Sequence, residues 1–228
     1  MIIDEQMKKV LDQAARLQRL VPDAVLVGGS AAYIYANHRY SFDHDHIISD
    51  LQERFDLILD SLERESDWIT NRIVYGKIIL GELGGIETGI RQLIRKKALE
   101  FQTIQIEKYS LNVPTIEEII RIKSFLIVKR NQMRDYLDFA ALSDKIGSIE
   151  SAKIIEKIDD YYSDNFPNEK PVLSQLLRQL SNPLPKDFRS VGHLSDYKGN
   201  VDKWKDWGFI IKICWDVAQK VMDTNSYA

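Results

Sequence analysis

Along this chain the spacing of apolar positions shifts between helical and strand-like periods, and each shift marks an element. Residues 4–20 mix apolar and charged side chains at helical spacing, which predicts a polar amphipathic helix. The run Ala24 to Val27 is wholly apolar and stops at Gly28-Gly29, so a short buried strand should meet a tight turn. The stretch 30–37 then suits a helix. Strands are expected over 43–48, 77–83, 86–91 and 101–107, with helices over 51–64 and 115–144. Gly84-Gly85 reads as a hairpin turn and Gly147 as a helix stop. Beyond it the pattern turns helical over 148–162, 171–180 and 201–222, with loops near 163–170 and 181–200 that carry Pro, Asn, Gly and Ser. The expected fold class is therefore α/β (α+β): a small mixed β-sheet flanked by helices over 1–147, followed by a C-terminal helical region over 148–228. No internal repeat or low-complexity tract interrupts it.

The densest chemistry lies between Val25 and Ile47. Glycines at 28 and 29 let a backbone approach a phosphate, and the free N–H groups of a first helical turn, with the Ser30 hydroxyl, could point at it. If 43–47 is a strand, Asp43 and Asp45 project from one face, two hard oxygen donors about 6 to 7 Å apart. Mg²⁺ suits such a pair, since it takes one or two carboxylates and completes its shell with substrate phosphates. A helix of about ten residues between turn and acids would return the chain so that the two lie side by side.

Phosphoryl-type transfer also needs a group to accept the proton of the attacking hydroxyl. Glu87 is the first choice, because on its strand it alternates with Gly89 and Arg91, a small residue leaving room between an acid and a base. The strand 101–107 offers Thr103, Gln105 and Glu107 on one face, which makes Glu107 the second choice. Further on, Lys123, Arg130 and Arg134 fall close to one face of a continued helix, although Asn131-Gln132 could break it. They form either a solvated edge, with Arg134 paired to Asp138, or a cationic face toward a triphosphate.

Gly28-Gly29-Ser30-Ala31, followed by Arg39-Tyr40-Ser41-Phe42-Asp43-His44-Asp45, resembles the opening motif of the nucleotidyltransferase fold, in particular its AbiEii-like toxin branch. The run from Val113 through Lys123 to Arg130 and Arg134-Asp135-Tyr136-Leu137-Asp138 is similar to that family's helical motif. The resemblance covers roughly residues 24–147 and implies transfer of NMP from an NTP to an RNA or protein hydroxyl with Mg²⁺ or Mn²⁺. It implies metal on Asp43 and Asp45, and nucleotide contacts from Gly28, Gly29, Ser30, Arg39, Arg91, Arg130 and Arg134. Catalytic roles would fall to Asp43, Asp45, Glu87 and Lys123, with Lys123 neutralising phosphate. It further implies a toxin or phage-defence effector held in check by a cognate antitoxin. The chain departs from the family pattern at His44 and His46, where apolar residues are usual. Asp-His-Asp-His admits a transition-metal or His-Asp phosphohydrolase reading. Strand alternation opposes it, since the histidines would face away from the acids, and only His38 and His193 stand elsewhere. A catalytically degenerate module that binds nucleotide or a partner protein is the remaining alternative.

Composition changes this picture little. At 228 residues the chain can bury a sizeable core, and a net charge of −3 gives no bulk attraction to nucleic acid, although Arg91, Arg95, Lys96 and Lys97 cluster locally. The one cysteine, Cys214, sits in an apolar stretch and reads as a small buried hydrophobe. Trp204, Trp207, Phe209 and Trp215 read mainly as packing for the last helix. With no leader-like start and no apolar run near 18 residues, a soluble cytoplasmic protein without membrane contact is expected.

Overall fold

A computed structural model describes residues 3–165, 170–188, 194, 197, 199 and 201–226. The chain divides into two compact units, one comprising residues 1–34 and 40–115 and the other residues 35–39 and 116–228. The residue pattern places the division at Gly147, where a helix does end.

The first unit opens with α1 (Glu5–Leu20), capped by the Asp4 side chain accepting from the Gln6 N–H at 2.9 Å. Then come β1 (Val25–Val27), α2 (Gly28–Ala36), β2 (Asp43–Ile48), α3 (Leu51–Glu63), β3 (Trp68–Val74), β4 (Ile78–Leu83) and β5 (Ile86–Gln92). A hairpin of β6 (Phe101–Ile106) and β7 (Tyr109–Pro114) closes the unit. The main sheet has the order β1-β2-β5-β4-β3, and β2 and β5 are its parallel pair. The sheet is mixed, as expected.

Two strands were not expected from the sequence. In β3 the residues between Trp68 and Val74 are exposed and the register slips between Thr70 and Arg72, so the alternation that betrays a strand is absent. In β7 Tyr109, Leu111 and Val113 do alternate inward, but the run is short and merges with the start of the next helix. The Gly84-Gly85 turn is as expected, with φ of 58° and 74°, values at home in a tight β4–β5 hairpin.

One face of the sheet is sealed. Leu51, Phe55, Ile58 and Leu62 of α3 and Leu17 of α1 pack on Ile48, Ile79, Leu83, Ile90 and Trp68 to form a core. Gly81 is required there, because a Cβ would lie 2.5 Å from the Trp68 ring and from the Ile69 carbonyl oxygen.

The second unit is helical: α4 (Ile116–Arg130), α5 (Met133–Ile146), α6 (Ser148–Glu156), α7 (Asp159–Tyr162), α8 (Val172–Ser181) and α9 (Trp207–Ser226). The single helix expected over 115–144 is two, parted at Asn131, whose φ of 52° is left-handed. Gly147, at φ 90°, ends α5 as expected. The last helix, α9, packs on α5, α6 and α8. Trp204 is buried beside Phe209 and Cys214 is fully enclosed, whereas Trp215 is exposed and outside the core. Among the described residues no helix is long and apolar enough to cross a membrane.

Candidate functional site

The strand β1 is buried throughout and leads into Gly28, whose φ of 75° turns the chain so that α2 starts at the glycine itself rather than at Ser30. Ser30 is buried and its hydroxyl donates to the Asp43 main-chain carbonyl at 2.6 Å. Its hydroxyl thus ties the turn to the acidic strand instead of facing an anion.

Strand alternation then sorts β2 as the sequence implied. Asp43 and Asp45 are half-buried on one face, and His44 and His46 are fully buried on the other. In the parallel register Asp43 stands opposite Glu87, Asp45 opposite Gly89 and Ile47 opposite Arg91. Ser41 donates its hydroxyl to Asp43 Oδ1 at 2.7 Å, which fixes that carboxylate. The Asp45 carboxylate is bracketed by two glycines. A Cβ on Gly89 would lie 2.8 Å from Asp45 Oδ1, and one on Gly28 would lie 3.9 Å from Asp45 Oδ2. Arg91 Nη2 lies 3.5 Å from Asp45 Oδ1. Glycine turn and acids therefore meet, as the spacing predicted.

Glu87 is exposed, with Asp43 opposite it on one side and Glu82 opposite on the other. Like charges in adjacent register repel, so this face attracts cations. Among the described residues, however, no three His, Cys, Asp or Glu side chains gather closely enough to hold a metal by themselves. The donor set is thus two carboxylates at most, which fits a hard divalent ion that completes its shell with phosphate oxygens and water. Glu107 stands elsewhere, in the β6–β7 turn at φ 51°, accepting from the Ile3 N–H at 3.5 Å with Lys8 3.8 Å away. That turn belongs to the two-stranded β6–β7 sheet, whereas Asp43 and Glu87 share the main sheet.

Thr88 donates its hydroxyl to the His44 carbonyl oxygen at 2.7 Å, and the same Oγ1 lies 2.9 Å from His44 Nδ1. The His46 ring meets it edge-on at 5.3 Å. Burial pushes His44 down to about 4, against the pull of Asp43, and burial with His44 beside it lowers His46 further. They support the strand from behind, and a shared His-Asp metal cluster is excluded by their facing away from the acids.

In the second unit the expected cationic face is a buried ion network. Lys123, 1% exposed, places Nζ 2.6 Å from Asp138 Oδ2 and 3.9 Å from Asp135 Oδ1. Arg39 donates from Nε and Nη2 to the two oxygens of Asp138 at 2.8 and 3.0 Å, and His38 Nε2 donates to Oδ1 at 2.7 Å. Arg130 grips Asp135 with both Nε and Nη2, at 2.5 and 2.6 Å. Arg134 is not paired to Asp138; its Nε donates to Gln132 at 3.1 Å. Burial alone would raise Asp138, but Arg39, Lys123 and His38 outweigh it and hold the carboxyl well below its ordinary range. Burial likewise lowers His38, against the pull of Asp138. Lys123 and Arg39 are therefore committed to Asp138. The sequence offered no sign of this, since His38 and Arg39 lie 100 and 99 positions from their partner.

No protein-family model matches the chain. Among curated proteins it is 27% identical over 242 residues to the heme uptake protein MmpL11 of Mycobacterium tuberculosis, covering 95% of this chain and 23% of that protein. It is 32% identical over 113 residues to the mycolic acid-containing lipids exporter MmpL11 of Mycolicibacterium smegmatis, covering 50% of this chain and 11% of that one. The chain thus spans less than a quarter of the length of these relatives. Among solved structures it superposes on an H. pylori protein described as a candidate nucleotidyltransferase, with a TM-score of 0.53, 15% identity and 99% of each chain covered. It also superposes on the antibiotic-resistance factor ANT(2″)-Ia, with a TM-score of 0.53, 12% identity, 70% of this chain and 96% of that one. ANT(2″)-Ia has also been solved with adenylyl-2″-tobramycin. At such identities the likeness concerns the fold, and the chain has the nucleotidyltransferase fold.

Proposed function

We propose that this protein is a nucleotidyltransferase that moves NMP from an NTP to an acceptor hydroxyl on an RNA or a protein, using Mg²⁺ or Mn²⁺ on Asp43 and Asp45. The observation that carries the reading is the Asp45 carboxylate packed against Gly89, where the missing Cβ leaves it room, with the Gly28 turn alongside. The backbone N–H groups at Gly28 and Gly29 are assigned to phosphate oxygens, Arg91 to phosphate charge, and Ser41 and Ser30 to holding Asp43. A divalent ion bound here supplies charge neutralisation for the phosphates and a lowered barrier at the α-phosphorus. Glu87, exposed beside Asp43, takes the proton of the acceptor hydroxyl as its oxygen bonds to the α-phosphorus and pyrophosphate leaves. Lys123, Arg39 and Arg130 are assigned to the fold of the helical unit, and Arg134 stays solvent-facing.

The AbiEii-like motifs support a finer reading, a toxin or phage-defence effector with a cognate antitoxin, on likeness of motif alone. A second reading, a degenerate module that binds nucleotide without turnover, draws on the lack, among the described residues, of a three-carboxylate cluster. Incubation with α-labelled NTPs, Mg²⁺ and total RNA separates the two. Transfer of label that needs Asp45 supports the enzyme, whereas saturable NTP binding without transfer supports the module.

A further inference from the structure

The polar face of α8 has no role in the reading above. Val172, Leu176 and Leu180 are fully buried and seat this helix against α4 and α9. Ser174, Arg178, Gln179 and Asn182 recur at helical spacing on its other side and line a cleft of about 450 Å³ together with Lys170 and Asn131. That volume is in the range of small-ligand sites.

The lining is built for an anion with hydroxyl groups. Among the described residues the lining contains two cations and no carboxylate, and neither Lys170 nor Arg178 makes an ion pair there. Gln179 also lines the cleft, its Oε1 enclosed and without a hydrogen-bond partner among the described residues. The opposite wall is rigid. Asn131, held in a left-handed conformation, donates from its amide to the Leu184 carbonyl at 2.9 Å, accepts from the Tyr136 hydroxyl at 2.5 Å, and takes the Lys186 N–H on its carbonyl at 2.8 Å. Among the described residues Tyr136 is the one aromatic of the lining and is itself fully buried, so these residues offer no platform on which a base could stack.

We propose that this cleft binds a phosphorylated sugar, its phosphomonoester on Lys170 and Arg178 and its hydroxyls on Gln179, Asn182 and Ser174. The site lies within the helical unit and stands whether or not the first unit transfers nucleotides. The shared chemistry could be presented by a free sugar phosphate or by a nucleotide.

The test is calorimetric titration of the full chain, without divalent metal, with ribose 5-phosphate, inorganic phosphate and AMP. Ribose 5-phosphate should bind saturably, with inorganic phosphate weaker by about tenfold or more, since it lacks the hydroxyls. The double variant Lys170→Ala/Arg178→Ala, both exposed positions whose folding is checked by circular dichroism, should lose at least about tenfold in affinity. Gln179→Leu should weaken ribose 5-phosphate while leaving inorganic phosphate unchanged, and Asp45→Asn should leave both unchanged. The proposal is overturned by absent binding of ribose 5-phosphate or by equal affinity in the double variant. It is equally overturned by preferential AMP binding that disappears in Asp45→Asn, which would return the ligand to the first unit.

Discussion

Gly89 faces Asp45 across the parallel strands β2 and β5, so close that a methyl group at 89 would lie 2.8 Å from the carboxylate oxygen. Gly89→Ala should therefore displace Asp45 and remove nearly all turnover. The same Cβ would meet Leu80 Cδ2 at 2.6 Å, so a stability loss of about 1–3 kcal/mol accompanies it. Steady-state kinetics beside urea denaturation checks this. Full activity in a folded Gly89→Ala protein would show that Asp45 needs no such space.

Ser41 and Asp43 give a milder case. Ser41→Ala removes one hydrogen bond to Asp43 Oδ1, which is worth about 1 kcal/mol. The expected outcome is a several-fold rise in the Mg²⁺ concentration for half-maximal activity with little change in stability. An unchanged Mg²⁺ dependence would mean that Asp43 is not a ligand.

The buried network in the helical unit predicts a separation of stability from chemistry. Asp138→Leu removes the buried carboxylate that Arg39 and Lys123 share and leaves Lys123 with the more distant Asp135, at a cost of about 3–5 kcal/mol. Lys123→Met keeps Asp138 bound by Arg39 and His38 and should cost less. Urea midpoints measure both. If Lys123→Met instead kept full stability and abolished transfer, Lys123 would be a phosphate ligand after all.

Acid sensitivity follows from His38, His44 and His46. All three are buried and lowered from 6.5, so below that pH the unfolded chain takes up protons that the folded chain refuses. Stability is thus full above about pH 6.5 and falls with decreasing pH as the unfolded chain protonates first. For His44 the loss levels off near its folded value of about 4. The Asp138 contribution is also of the depressed kind and is lost only below 3.8, outside this window. Urea midpoints measured across this range should decline; a flat profile would mean that the three histidines are already solvated.

Much of the first unit was legible because side-chain period and candidate site residues coincide there. Alternation in Asp43 to Ile48 separates acids from histidines, and Gly28 and Gly84 each stand where the chain turns with positive φ, as Gly147 does in the helical unit. What stayed hidden depends on distant partners. Nothing near Lys123 says that Arg39 and His38 share Asp138 with it, so a buried ion network reads as a cationic face. Strand β3 stayed hidden for a local reason, since an exposed edge with a bulge loses its alternation. Glu107 was expected on a strand that in fact stops one residue short of it, and it stands in a turn with left-handed φ.

The central claim is tested most directly by incubating the protein with each α-³²P-labelled NTP, Mg²⁺ and total cellular RNA, beside Asp45→Asn of equal stability. Label on RNA or on protein that is lost in the variant is the predicted result. Label that persists in Asp45→Asn, or no label with any of the NTPs, would contradict it.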